Sequence, residues 1–302
     1  MSILLDAAQT ALRLPWQALV DEITSLLKDA SVTVPPRLVQ ALPGGGSLFV
    51  MPALDRRLAI TKLITFTPAN AGAGRPAIQG DVLVFDVMTG QRRLILDGPT
   101  VTARRTAAVS VAAASRLAPN KRGPLLIVGA GVQGRAHLEA FADVLNIGKV
   151  MIASRSPAGA KALALHALSL GVQASVIEDA NAALAECPLA VTCTPASGVV
   201  LSAFPRVDGF ICAVGAFTPR MIELGADLCR HIAARGTVCV DTADALHESG
   251  DLLQAGLDVS RFRTLWHVVR HGSPGLTGPV LFKSCGWAGW DLAAARVAVT
   301  QD

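Results

Sequence analysis

The stretch LLIVGAGVQGRAHLEAF, residues 125 to 141, constrains this chain more than any other. Four apolar residues lead into Gly129, Gly131 and Gly134, and a helical pattern follows at once. In such a strand-turn-helix the first glycine permits the tight turn, the second lets backbone approach a ligand, and the third allows helix and strand to pack closely. The helix N-terminus then offers its amides and the positive end of its dipole to an anion. A tight turn in any α/β domain is the plainer reading of the glycines alone. The strand before them and the helix after them favour a dinucleotide pyrophosphate instead.

The rest of the chain supports that setting. From Pro124 onward, apolar strand-like segments (VMIAS, SVIED, LAVTCTP, FICAVG, TVCVDT) alternate with helical patterns such as AGAKALALHALSLG. This alternation predicts a parallel, doubly wound sheet. Before residue 120 the texture differs. An amphipathic helix over 15 to 30 is followed by hairpin-rich strands in SLFVMPAL, RRLAITKLITF, DVLVFDV and RRLILD. TARRTAAVSVAAASRLA then reads as a helix of small side chains, and LFKSCGWAGWDLAAARVAV returns to that texture at the C-terminus. The predicted fold class is α/β: a Rossmann sheet over 121–279, inserted into a discontinuous α+β domain made of 1–120 and 280–302.

Composition removes several functions. The 302 residues carry a net charge of +4, and Lys and Arg form no run longer than a pair, so a nucleic-acid stripe is not expected. Mean hydropathy is +0.46, yet no apolar stretch approaches the roughly 18 residues of a membrane span. The N-terminus shows no basic flank before its apolar residues, so a cytoplasmic location is expected. Six cysteines without C-x-x-C spacing read as reduced core residues rather than metal ligands or disulfide partners.

The strand after the glycine turn bears on which dinucleotide binds. A carboxylate at its end would hold a ribose 2′-hydroxyl; this chain has Ser154, Arg155 and Ser156 there. An arginine between two hydroxyls suits a 2′-phosphate, so NADPH is expected, with NADH as the alternative. A solvated surface arginine is the plainer account.

The first domain holds cations in unusual places. Alternation in RRLAITKLITF sets Lys62 in a row with Leu58, Ile60, Ile64 and Phe66, where a lysine must reach solvent or meet an anion. Arg104 and Arg105 fall in the first turn of the expected helix, where the dipole disfavours cations unless an anion lies nearby. Ordinary surface charge is the alternative for each.

These residues resemble the ornithine cyclodeaminase and mu-crystallin family, which also contains archaeal alanine dehydrogenases and cyclic ketimine reductases. The resemblance runs through PPR at 35 to 37, MP at 51 to 52, TKL at 61 to 63, TARRTAAVS, VGAGVQGRAH, AVGAFTP and FKSCGWAGWD at 282 to 291. It implies a homodimer formed through the N-terminal domain, with the dinucleotide held by the other. It also implies a substrate carboxylate bound by Arg37, Lys62 and Arg105, with Lys62 as orienter or proton donor. The cofactor-binding set it suggests is Thr106, Gly129, Gly131, Val132, Gln133, Gly134, Ser154, Arg155, Ser156, Thr194, Val214 and Gly215. Asp291 and Glu223 also match family positions, but a helix-face carboxylate beside a cation explains either one. Asp241 ends its strand near the expected cofactor crevice.

The resemblance departs at one place. Cyclodeaminases and archaeal alanine dehydrogenases carry an amine-handling aspartate two residues after the AVG glycine, and here that residue is Phe217. A phenyl ring cannot pair with an ammonium, which makes ornithine a poor substrate and a cyclic imine with apolar ring carbons a better one. Mu-crystallin lacks the aspartate too. The implied activity is reduction of Δ1-pyrroline-2-carboxylate, and of Δ1-piperideine-2-carboxylate, to L-proline and L-pipecolate, within trans-3-hydroxy-L-proline breakdown. Phe217 is expected to line the substrate site, with a role confined to the strand-end core as the alternative. An alanine-type dehydrogenase, an ornithine cyclodeaminase and a non-catalytic NADPH-binding protein are the other functions considered.

Overall fold

The computed structural model describes residues 3–195, 198–273, 275–276 and 278–300. The chain forms two compact units, one of Met1–Arg105 with Trp287–Asp302, the other of Thr106–Gly286.

The first unit is built on a six-stranded sheet. Its strands are β1 (Ile3–Leu4), β2 (Leu38–Leu42), β3 (Gly46–Leu54), β4 (Leu58–Phe66), β5 (Ile78–Asp86) and β6 (Arg92–Asp97), in the order β1-β6-β5-β4-β3-β2. The β1/β6 pair is parallel and the others are antiparallel. Period-two alternation buries Leu58, Ile60, Lys62 and Ile64 along β4, beside Met51 and Ala53 of β3 and Val82 and Val84 of β5. The helix Ala288–Val299 packs against β3 and β4, and the helix Trp16–Leu26 packs against that helix. Alanine and glycine let Ala288–Val299 approach the strands closely, and most of its residues are buried. Arg296, on the same helix, meets three carboxylates: Asp55 at 2.6 Å, Asp29 at 2.6 Å and Glu22 at 3.0 Å.

The second unit holds eight parallel strands. They are β7 (Leu125–Val128), β8 (Lys149–Ala153), β9 (Gln173–Ile177), β10 (Leu189–Thr192), β11 (Phe210–Ala213), β12 (Thr237–Val240), β13 (Arg263–Thr264) and β14 (Val280–Lys283). Their order is β13-β12-β14-β11-β10-β7-β8-β9. The chain moves outward from β7 in one direction through β8 and β9, then returns to the other side of β7 with β10. That reversal opens a crevice at the carboxyl edge of β7 and β10. Strands β7, β10, β11 and β14 are buried throughout, as in a sheet covered on both faces. The six cysteines are buried thiols. Among the described residues, no helix is long and apolar enough to cross a membrane.

Two sequence expectations need correction. The texture of the chain puts residues from 280 onward in the first domain, whereas Val280–Lys283 is strand β14, paired with β11 and β12 inside the second sheet. Four residues are too few to show a period, and the run reads as one with the small-residue helical pattern that follows it. The helix of small residues begins at Gly98 rather than Thr102, and the boundary between units falls within it, at Arg105/Thr106. Asp97 accepts a hydrogen bond from the Thr100 amide at 2.8 Å, and Pro99 occupies the first turn, where its missing N–H costs nothing. Arg104 and Arg105 therefore lie beyond the first turn, and the dipole argument does not apply to them. Arg104 has a structural role: its Nε donates to the Leu14 carbonyl at 2.9 Å and its guanidinium stacks 3.8 Å over the Trp16 ring.

Candidate functional site

The glycine turn has the geometry its spacing demands. Gly129 sits at φ +117°, and a Cβ on it would lie 2.8 Å from the Cys193 carbonyl oxygen. A Cβ on Gly134 would lie 2.0 Å from the Gly129 carbonyl oxygen, so only glycine lets this helix close on the turn. Gly131 and Val132 are exposed, and nothing stands within 4 Å of a Cβ built on Gly131. Gly131 is the N-cap of the helix Val132–Leu145 and offers no side chain to its first amides. No side chain caps these amides, and the Gln133 Oε1 is buried without a hydrogen-bond partner. Open helix-start amides with room for an anion fit a pyrophosphate.

At the end of β8, Arg155 is exposed. Ser156 caps the helix Pro157–Ser169 by accepting from the Gly159 amide at 3.1 Å, and its own amide donates to Ser154 Oγ at 3.2 Å. The turn is thus ordered by its own hydrogen bonds and leaves the guanidinium at the surface. Thr106, at the start of this unit, is buried.

Beyond β10 and β11, Thr194 and Gly215 are brought together. A Cβ on Gly215 would lie 2.0 Å from the Thr194 carbonyl oxygen and 2.5 Å from Glu223 Oε1. Val214 donates its amide to Thr192 O at 2.9 Å, continuing the ladder past the strand end. Phe217 is half buried and packs against this unit's apolar core, a cluster that includes Ala213, Leu224 and Leu252. That is the core role set beside a substrate contact in the sequence. Asp241 is spent on shaping the chain after β14, accepting from Ser284 Oγ at 2.8 Å, the Cys285 amide at 2.9 Å and the Gly286 amide at 2.8 Å.

The first unit gathers a different chemistry. Lys62 projects from the apolar row of β4 and is 1% exposed. Its Nζ lies 3.0 Å from Asp291 Oδ1 and 2.8 Å from Oδ2. Asp291, 0% exposed, comes from the helix Ala288–Val299, and its Oδ1 is also 3.3 Å from Arg105 Nε. Two buried cations thus share one carboxylate, and Arg105 Nε has no hydrogen-bond partner. Arg37, half buried ahead of β2, acts on Lys62 as a further positive charge. Burial pulls the Lys62 ammonium down from its usual 10.5 to about 8, Asp291 opposes that shift, and the charges of Arg105 and Arg37 add to it. A group with this pKa is protonated at neutral pH and able to release a proton. In the sequence, a carboxylate near some cation explains Asp291 equally well. The structure supplies the cation, and β4 and the C-terminal helix bring the pair together across the chain.

The ornithine cyclodeaminase/mu-crystallin family profile matches residues 5–301. The chain belongs to that family. Its curated relatives include a Δ1-pyrroline-2-carboxylate reductase of Burkholderia ambifaria, 37% identical over 97% of this chain and 94% of the relative. A Δ1-pyrroline-2-carboxylate/Δ1-piperideine-2-carboxylate reductase of Azospirillum brasilense is 36% identical over 97% of this chain and 94% of its own. Among solved structures, the Thermococcus litoralis Δ1-pyrroline-2-carboxylate reductase in complex with NADH and L-proline superposes with a TM-score of 0.86. It is 25% identical, over 98% of this chain and 93% of that one.

Proposed function

We propose that this family member is an NAD(P)H-dependent reductase of cyclic 2-imino carboxylates, acting on Δ1-pyrroline-2-carboxylate and on its six-membered homologue. The observation that carries the reading is the buried Lys62, held by Asp291 beside Arg105. Arg105, with an unsatisfied buried Nε, and Arg37 take the substrate carboxylate; a hydrogen bond to a charged group contributes about 1.5–3 kcal/mol. Lys62 stands at the imine end. Its ammonium protonates the ring nitrogen, and the iminium so formed accepts hydride at C2 more readily than the neutral imine does. The dinucleotide, when bound, supplies that hydride. Residues Gly129 to Gly134 hold its pyrophosphate, and Thr194, Val214 and Gly215 belong to its other half. Phe217 offers no carboxylate to pair with a second amine, which disfavours ornithine as the substrate.

The test is oxidation of NADPH, and of NADH, with Δ1-pyrroline-2-carboxylate and with pyruvate plus ammonia, beside release of ammonia from ornithine supplied with NAD+. Turnover of the cyclic imine is expected. Turnover of pyruvate plus ammonia alone would make the protein an amino-acid dehydrogenase, and turnover of none would leave a binding protein. The exposed Arg155 is proposed to select the 2′-phosphate. Arg155→Ala should raise KM for NADPH about tenfold or more and leave KM for NADH nearly unchanged. Equal effects on the two cofactors would remove this residue from the assignment.

A homodimer, the assembly implied by the family, has a surface to form on. The face of the first sheet that carries Leu38, Val50, Leu54 and Leu63 is open, with Leu38 55%, Leu63 42% and Leu54 37% exposed. Light scattering of the purified chain measures the assembly directly.

A further inference from the structure

We propose that Glu223, Asp251 and Lys283, three buried charges of the second unit, are positioning residues that fix the backbone against which the nicotinamide half of the dinucleotide lies. The proposal rests on the dinucleotide reading above and adds to it the device that shapes the ring's side of the site.

Glu223 is 0% exposed, and its carboxylate has four donors. Oε1 accepts from the Thr194 amide at 2.7 Å and from Thr194 Oγ1 at 3.0 Å. Oε2 accepts from the amides of Gly215 at 2.7 Å and Ala216 at 3.1 Å. These donors come from two separate loops, one leaving β10 and the other leaving β11. A single side chain thus ties together the two loops at the carboxyl edge, and the missing Cβ of Gly215 lets them meet.

The tie is itself held. Asp251 Oδ1 accepts from the amides of Glu223 at 2.6 Å and Leu224 at 2.9 Å, while its Oδ2 lies 2.8 Å from Lys283 Nζ. Lys283, at the end of β14, donates from Nζ to the Ala216 carbonyl at 2.5 Å. The circuit closes on Ala216: its N–H goes to Glu223, and its carbonyl receives the lysine that pairs with the aspartate supporting Glu223. Lys283 and Asp251 are 0% and 1% exposed, so neither is placed to exchange protons with a ligand.

Buried ionic sets of this kind are a poor source of stability, because apolar packing of the same volume serves as well or better. What apolar packing cannot do is satisfy three amides from two loops at once. The sheet order assigns the consequence. The pyrophosphate turn follows β7, and the adenosine side follows β8. The clamped loops follow β10 and β11, across β7 from β8, so they face the remaining half of an extended dinucleotide.

The experiment compares the full-length wild type with Glu223→Gln, measuring dissociation constants for NADPH and for 2′-phospho-ADP-ribose, which lacks only the nicotinamide ring. The amide of Gln presents donors to the Gly215 and Ala216 amides, so the loops should part there. Binding of NADPH should weaken about tenfold, and kcat should fall, while 2′-phospho-ADP-ribose binds within twofold of wild type. Asp251→Asn keeps an acceptor for the Glu223 and Leu224 amides; it should show the same selectivity at smaller amplitude and serves if Glu223→Gln does not accumulate folded. Parallel weakening of both ligands with a lowered Tm would make the network merely structural. Unchanged binding of both ligands would also overturn the proposal. A wild type that binds neither NADPH nor NADH would instead refute the dinucleotide reading.

Discussion

Lys62→Met should lower kcat for reduction of Δ1-pyrroline-2-carboxylate by about 10²–10⁴-fold, the range associated with a positioned general acid. Methionine fills similar space in the apolar row of β4 and leaves Asp291 its 3.3 Å contact with Arg105. Steady-state kinetics should show the loss mainly in kcat. The pH profile separates a proton donor from a carboxylate anchor. Burial brings the Lys62 ammonium down to about 8, so the wild type holds its proton at pH 7 and sheds it above pH 8. The wild-type kcat/KM should therefore decline above about pH 8, and the residual activity of Lys62→Met should lack that limb. Stability moves in the opposite direction. Because the folded-state pKa lies below the unfolded value of 10.5, the unfolded chain binds more protons between about 8 and 10.5. The cost of burying the charged lysine is present in full below that window and is relieved as pH rises through it. Wild type should gain Tm relative to Lys62→Met over the same pH range in which it loses activity. A wild-type alkaline limb retained in the methionine variant would assign the proton to another group.

Sequence reasoning reached the glycine turn, the strand alternation and Lys62 because each is a local pattern. Four apolar residues and a lysine on one face of β4 are legible within nine residues. The partner of that lysine was not, since Asp291 lies 229 residues away and nothing in GWAGWDLAAARV says which strand the helix will cover. Strand β14 was missed for a related reason: VLFK is buried on every side, so it carries no alternation to read. The role of Glu223 was illegible because three of its four donors are backbone amides, which every residue but proline possesses. Only the approach of two loops, fixed by the sheet, makes those amides converge.

Asp291→Asn should have the largest combined effect on stability and activity. The carboxylate is 0% exposed and stands against two cations, Lys62 at 2.8 Å and Arg105 at 3.3 Å. Asparagine keeps the shape and removes the charge, so both cations remain buried without their anion. Removing one partner from a buried pair costs about 3–5 kcal/mol. Tm should fall by several degrees at mildly acidic pH, where Lys62 keeps its proton. Asp291 is also the main influence holding the Lys62 pKa up against burial, so its loss should carry that pKa further below 8. The alkaline limb of kcat/KM should then move to lower pH, and activity at pH 7 should drop by about tenfold or more because Lys62 has lost its proton. Part of the lost Tm should return as pH rises and Lys62 becomes neutral, since a neutral amine needs no counter-charge. That recovery distinguishes an electrostatic unit from a packing defect: a cavity or misfit would lower Tm equally at every pH and leave the kinetic limb in place.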